Sequence, residues 1–425
     1  MRWYPRAARR KAKPSNGGLE LEMQQRLARL PAWLCMFALA ACVLWFPLGR
    51  PQSNWLSQGV LALLVLGVLS NHFLGSCAVR HVPTLLAFGG ASLLSAWFSR
   101  YADASFARGA GGLMLLLAFP AAQIVAREPT TLRWLQRAMQ AAIIVCGIDI
   151  AWQYVFHHSL LGGIPEPADR WRFTGSLPNP NEVGFVALLL PLALVTPTTK
   201  GRASRLRSIS IAAIATFGVL LTGSRTTLGG LLVGAWTRSW LGTRQFLRWS
   251  LVIVMVVGTV AWIGDLGSFR KRLTETLRPQ QEMRLQTWRI ALEAAVERPW
   301  LGHGPAVFFE VNEASRKEAR PSGWETPPGG MPWVHNVPLE LLVERGLLGC
   351  TFFAALSFLV IRDLRRGLAT ARIRPWAVGV AGSLAAFAAM SMLDLTLLKD
   401  WCLICLCISA GLASQFGASS AAESR

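Results

Sequence analysis

The chain has 425 residues, 52% of them hydrophobic and only 16% charged, whereas an ordinary soluble domain carries about 25% charged residues. Such composition, with 18 Trp suited to interfacial anchoring, excludes a conventional water-soluble globule. The formal charge of +20 would suit a nucleic-acid binder, but the Lys and Arg residues fall in short clusters between apolar stretches, so the expected partner is membrane lipid and not nucleic acid.

Residues 1–31 are basic and polar, with Arg2, Arg6, Arg9, Arg10, Lys11 and Lys13, and read as a cytoplasmic N-terminus. The apolar run after them is long enough to span and lacks a small-residue cleavage site, which makes it a retained first helix. A bilayer core about 30 Å thick needs roughly 20 apolar residues per helix. On that rule spans are expected at 32–48, 55–73, 82–98, 109–126, 138–156, 182–198, 208–222, 226–240 and 249–266. Three more follow at 346–361, 375–393 and 401–416, about twelve in all. The chain thus divides into nine spans over 32–267, a large loop over 268–345, three spans over 346–416 and a cytoplasmic tail over 417–425. The pair flanking Arg225 is the least regular, each member being short and the turn between them minimal.

Orientation follows from the basic loops. With the N-terminus inside, the clusters Arg127/Arg133/Arg137, Lys200/Arg202/Arg205/Arg207, Arg244/Arg248 and Arg362/Arg365/Arg366/Arg372/Arg374 all fall on one side. The two long stretches, 157–181 and 268–345, fall on the other. The second is nearly balanced, with eleven basic and ten acidic side chains, and loops of this length tend to be functional. Within it, 281–297 reads as an amphipathic helix through Leu285, Trp288, Leu292 and Val296, ended by Arg298-Pro299. Residues 321–332 are too rich in Pro and Gly for regular structure, and a second helix is expected to start near Val337.

The eight Cys lie in or beside apolar segments, none in the long loop, which argues against a disulfide framework. Cys402, Cys405 and Cys407 share one apolar helix and read as packing; no metal site is expected. A motif for a metal-bound nucleotide sugar or a phosphate loop is missing from the sequence.

Four features could carry chemistry. Arg225, in LTGSR at a tight turn, could grip a lipid-linked phosphate with paired hydrogen bonds or simply snorkel to the headgroups. Arg284, Trp288 and Arg289 share the loop helix, but the two arginines are five apart and point in different directions, so at most one joins Trp288 on a ligand; the bland reading is a helix lying on the membrane. His335, before Asn336 and a helix carrying Glu340 and Glu344, could take a proton from a sugar hydroxyl or make one turn hydrogen bond. GSLPNPN at 175–181 reads as a rigid entry turn in which Asn181 could cap the next helix. Glu310 and Glu313 show helical spacing without evident partners and read as a solvated face.

In this order, GSLPNPN at 175–181, LTGSR at 221–225, RLQTWRIALEAAVERPWLGHG at 284–304 and HNVPLELLVERGLLG at 335–349 resemble the O-antigen ligase family, over roughly the C-terminal 60% of the chain. The resemblance implies an all-α polytopic membrane protein of glycosyltransferase-C-like fold, in a bacterial inner membrane, with its active site facing the periplasm. It implies a transferase that moves a polysaccharide from undecaprenyl diphosphate to the lipid A–core oligosaccharide, needing neither cofactor nor metal and inverting the anomeric carbon. Carried over residue by residue, Arg225 and Arg284 would bind the diphosphate, with Arg289 in reserve, and His335 would be the general base. Asn179, Asn181, Asn336 and Glu344 would support them. His303 departs from the family's usual small apolar residue and is either neutral or lines the site. A protein O-oligosaccharyltransferase, an O-antigen polymerase and, in a different class, a transporter are the alternatives; the chain ending soon after the last span favours the ligase expectation.

Overall fold

The computed structural model describes residues 16–48, 54–74, 78–162, 172–195, 202–242, 259, 263–264, 283–317 and 333–423. The expected span at 249–266 lies almost wholly outside them, and the Pro/Gly-rich stretch 321–332, Cys77 and part of the 157–181 loop lie outside as well. The described residues form fourteen α-helices and two short 3-10 turns, with no strand among them.

In chain order the helices are α1 (Asn16–Trp45), α2 (Asn54–Phe73), α3 (Val82–Trp97), α4 (Ala102–Leu115), α5 (Ala118–Arg127) and α6 (Pro129–Phe156). Next come α7 (Gly184–Ala193), α8 (Arg202–Thr222), α9 (Arg225–Leu241), α10 (Met283–Glu297) and α11 (Phe308–Lys317). The last are α12 (Val337–Ala369), α13 (Arg374–Ser391) and α14 (Asp400–Glu423). Among the described residues, six stretches are long and apolar enough to cross a membrane, and Gln58–Phe73, Val82–Trp97 and Pro180–Ala193 are shorter apolar helices. The expectation of about twelve spans therefore meets helices of unequal length. At 109–126 the expected span falls in one such stretch, Ala102–Arg127, in which a short turn separates α4 from α5.

Members of two of the basic clusters, with Arg80 and His81, meet at one end of the bundle. There the buried Asp363 of α12 pairs with Arg80 at 2.9 Å and His81 at 2.8 Å, Arg127 donates to the Ala78 carbonyl, and Arg374 donates to the Leu241 carbonyl. Gln123 reads the backbone of Arg80 in both directions, accepting from its N–H and donating to its carbonyl. The loop segments gather at the opposite end.

The turn Pro180–Val183 and α7 together hold 14 residues, about 21 Å at 1.5 Å per residue, short of a hydrocarbon core of about 30 Å. Carbonyls left open at a helix end must find donors in a lipid setting. Gln136 donates to the Leu192, Ala193 and Val195 carbonyls. Arg238 covers Pro191 at 2.9 Å and Leu194 at 2.8 Å. A cation at a helix C-terminus also complements the dipole.

The loop is fastened to α12 through backbone. At Gly346 the chain leaves helical geometry, φ 61 and ψ −167, and the groups this frees are met by the segment after α10. Leu347 and Leu348 donate to the Pro299 and Trp300 carbonyls, while His303 and Gly304 donate to Val343 and Glu344. A Cβ at Gly346 would run into the Trp300 carbonyl, and one at Gly302 into the Glu344 backbone; both residues also have positive φ, where a side chain is disfavoured. Ser99 and Ser105 donate to the His303 and Pro305 carbonyls. Arg108 pairs with Glu310 at 2.7 Å, so Glu310 is a clamp and not the solvated residue its spacing suggested. Gly346→Val should undock the loop: limited proteolysis in detergent should cut between 283 and 317 far faster than in the parent protein, and equal cutting rates would refute the docking.

Candidate active site at the loop end of the bundle

Asn336 is the N-cap of α12, its Oδ1 accepting from the Leu339 N–H at 3.0 Å and its Nδ2 donating to the Met392 carbonyl at 3.0 Å. That second bond ties the start of α12 to the turn after α13. The residue before it, His335, is held at φ 58, a left-handed conformation that persists only when surroundings impose it. His335 Nδ1 lies 2.7 Å from Asp394 Oδ1, with side chains only 14% and 4% exposed. Arg284 of α10 reaches the same oxygen at 3.6 Å. One carboxylate thus collects an imidazole and a guanidinium from two separate loop segments.

Trp333 Nε1 also comes within 3.2 Å of His335 Nδ1. Nδ1 cannot donate to Asp394 and accept from the indole at once; the shorter, charged bond to the carboxylate decides in favour of donation. The proton then stays on Nδ1, directed at Asp394, and Nε2 keeps its lone pair. Nε2 has no hydrogen-bond partner among the described residues. Trp288 fixes α10 against this segment by donating to the Val334 carbonyl at 3.2 Å.

The entry turn reaches the same end by a chain of polar contacts. Asn179 caps the 3-10 turn, accepting from the Asn181 N–H at 2.9 Å. Asn181 is therefore not the cap the sequence suggested; its Oδ1 accepts from Ser224 Oγ at 2.9 Å and Arg172 at 3.3 Å. Ser224 in turn is the N-cap of α9, whose first residue is the half-buried Arg225. Glu182 pairs with Lys399 at 3.3 Å, and Lys399 Nζ lies 5.1 Å over the Trp333 ring, against which His335 is tilted at 5.7 Å.

Arg289 points elsewhere. It is 54% exposed and pairs with Glu293 one turn on, at 2.8 Å, so Arg284 is the one of the two that turns toward His335. Glu344 is buried against Arg345 at 3.2 Å. Glu340 is buried too, accepting from the Leu397 N–H at 2.9 Å. His303 does not line the site: its Nε2 donates to the Ala294 carbonyl at 2.8 Å, pinning the end of α10. Asp394, Lys399, Glu182 and Arg172 were missed by sequence reasoning. Asp394 left one trace, standing one residue past the expected span at 375–393 at the edge of an apolar run. Asp149, inside the expected span at 138–156, organises the first loop by accepting from the Leu160, Leu161 and Ser176 N–H groups. Asp394 lies in the turn after α13, not at a midplane.

Burial pushes the His303 imidazole below its ordinary value, so its folded form favours neutrality. Above the unfolded value of about 6.5 no stability is lost; as pH falls below it the unfolded chain takes up the proton first and stability declines. The thermal midpoint should fall between pH 7 and 5, and His303→Gln, whose amide keeps a donor for Ala294, should flatten that fall. An identical slope in the two proteins would remove His303 as its source.

With that geometry in hand, comparison with known families places residues 210–354 in a match to the family described as O-antigen ligase. No curated protein matches the chain.

Proposed function

We propose that the chain, whose residues 210–354 match the O-antigen ligase family, acts as a member of that family and transfers O-antigen polysaccharide from undecaprenyl diphosphate to a sugar hydroxyl of the lipid A–core oligosaccharide. The reaction takes place at the periplasmic face of a bacterial inner membrane. The observation that carries the reading is His335, its Nδ1 held on the buried Asp394 and its Nε2 left to act as a base, with Arg284 on the same carboxylate.

The chemistry follows from those roles. Nε2 of His335 takes the proton of the acceptor hydroxyl, whose oxygen attacks the anomeric carbon. The bond from that carbon to the diphosphate oxygen breaks, and undecaprenyl diphosphate leaves with the electron pair. Attack opposite the leaving group inverts the anomeric centre. Asp394 stabilises the imidazolium that forms, as the carboxylate of a catalytic triad does. General-base assistance of this kind is worth about 10²–10⁴-fold.

The departing diphosphate needs positive charge close by, in a setting less polarisable than water. Arg284, 27% exposed, and Arg225 at the start of α9 supply it in this mechanism. A guanidinium holds a phosphate through two parallel hydrogen bonds, which an ammonium cannot do. In this mechanism the charge comes from arginine and not from a metal ion, the carboxylate beside His335 being already shared by two cationic or potentially cationic groups. Asn179, Asn181 and Asn336 serve by fixing the turns on which the reacting groups stand.

Two measurements test this. His335→Gln should abolish transfer in reconstituted membranes while the protein stays inserted and abundant; in cells, lipid A should lose its long chains and the lipid-linked polymer should accumulate. Full-length lipopolysaccharide in that variant would refute the base assignment. Arg284→Ala should lower kcat by at least about 10²-fold, the scale of losing one group that stabilises developing charge, whereas Arg289→Ala, on the outer face of α10, should cost far less. Equal losses would mean that the register of α10 does not select between them.

A further inference from the structure

A cavity of about 340 Å³ lies among α2, α3, α4 and α14, beside the turn that carries Asp394. Its volume falls within the range of about 300–1,000 Å³ usual for small-ligand sites, which are likewise mostly apolar with a few polar groups. Leu93 and Met114 line it and are also 46% and 51% exposed, so its mouth opens sideways on the apolar surface of the bundle. At the inner end are Leu397 and Leu398, three and four residues beyond Asp394.

The wall on α4 is hollowed by glycine. A Cβ at Gly111 would meet nothing within 4 Å, and one at Gly112 would meet only a Leu403 methyl at 4.0 Å. Glycines in membrane helices commonly let two backbones approach; these two approach nothing and instead leave space. The rim is fixed, with Ser105 and Arg108 of α4 fastened to Pro305 and Glu310 of the loop. The buried cation at the cavity, Arg345, is already neutralised by Glu344 at 3.2 Å and tied to Ser92 at 3.1 Å. The carboxylate of Asp400 also lines the cavity. The cavity therefore offers an anion no unspent charge; it offers a hydrocarbon chain a place.

We infer that this cavity binds the first isoprene units of the polyprenyl chain of the lipid-diphosphate donor and so sets how far its diphosphate reaches toward Arg284 and His335. The inference rests on the proposed transferase reading. The choice of chain follows from chemistry. In the donor, hydrocarbon begins at the diphosphate itself, so a chain seated within a few residues of Asp394 leaves the reacting bond near the base. In the acceptor, an oligosaccharide separates the acyl chains from the reacting hydroxyl. A void this large left unfilled would cost packing energy, and a mouth facing lipid admits a chain readily.

The test uses the full chain in lipid nanodiscs and an undecaprenyl diphosphate carrying a photoreactive diazirine on its first isoprene units. Labelling should map to peptides containing Met114 and Leu403. Gly112→Leu, which fills the cavity, should reduce that labelling by about tenfold or more, since seating several methylenes is worth more than that factor. Gly59→Leu adds the same side chain on α2 where nothing lies within 4 Å and should leave labelling unchanged. Should Gly112→Leu fail to fold, Leu93→Trp at the mouth makes the same measurement. Label that avoids the cavity, or that persists undiminished in the filled variants, overturns the inference. Cavity labelling in a protein that never transfers glycan to the lipid A–core would refute the proposed function and leave the cavity's ligand standing, whereas transfer with an unlabelled cavity would do the reverse.

Discussion

A carboxylate removed from water costs several kcal/mol unless charge and hydrogen bonds meet it, and Asp394, 8% exposed as a residue, imposes that requirement on the loop end of the bundle. Neither partner is local. Arg284 lies 110 residues earlier in the chain and His335 lies 59 earlier, in two separate segments. Satisfying Asp394 therefore brings α10 and the start of α12 to the turn after α13. Asn336 holds the same junction from the other side through the Met392 carbonyl. Burial of one charge and the placing of the reactive groups are a single problem with one solution.

The second constraint is backbone on backbone. The interruption at Gly346 frees peptide groups inside a buried stretch of α12, and the segment after α10 supplies the partners they lack. Such pairing needs the two segments at a separation no side chain permits, which is why glycine stands at 302 and 346. The docking fixes where α10 ends, and with it the turn of α10 on which Arg284 stands. Its reach extends to α3 and α4 through Ser99, Ser105 and Arg108, so the loop is anchored on three sides before any ligand is considered.

Much of this was legible in the sequence because it depends on periodicity and local chemistry. The α10 helix was expected over 281–297 and begins at Met283; a second helix was expected to start near Val337 and α12 begins there, with Asn336 as its cap, while α11 between them was not foreseen. What stayed hidden is non-local. Five residues on a helix rotate a side chain by about 140°, so the sequence could say that Arg284 and Arg289 diverge but not which one meets His335. Asp394 stood at the very edge of the expected span at 375–393, because the apolar run continues past the true end of α13 at Ser391 and hides the turn that carries it. Span length was overread where a short helix such as α7 is completed by side chains: hydropathy sees its ten buried residues but not the amides of Gln136 and the guanidinium of Arg238 that finish it.

The shared carboxylate also bears on the order of events in the proposed reaction. Arg284 and His335 compete for Asp394 Oδ1, the imidazole at 2.7 Å and the guanidinium at 3.6 Å. The shorter contact is a hydrogen bond and the longer one only an ion pair, so Arg284 gives up less when a diphosphate draws it away than His335 would. Binding of an anionic donor then leaves Asp394 to the imidazole alone, at the moment when the imidazole is to accept a proton and needs a counter-charge most. Donor and acceptor are coupled through one side chain with no movement of the helices that carry them. A second acid in the site would break that coupling, because Arg284 and His335 would each have a partner of its own and the arrival of the diphosphate would change nothing at the base.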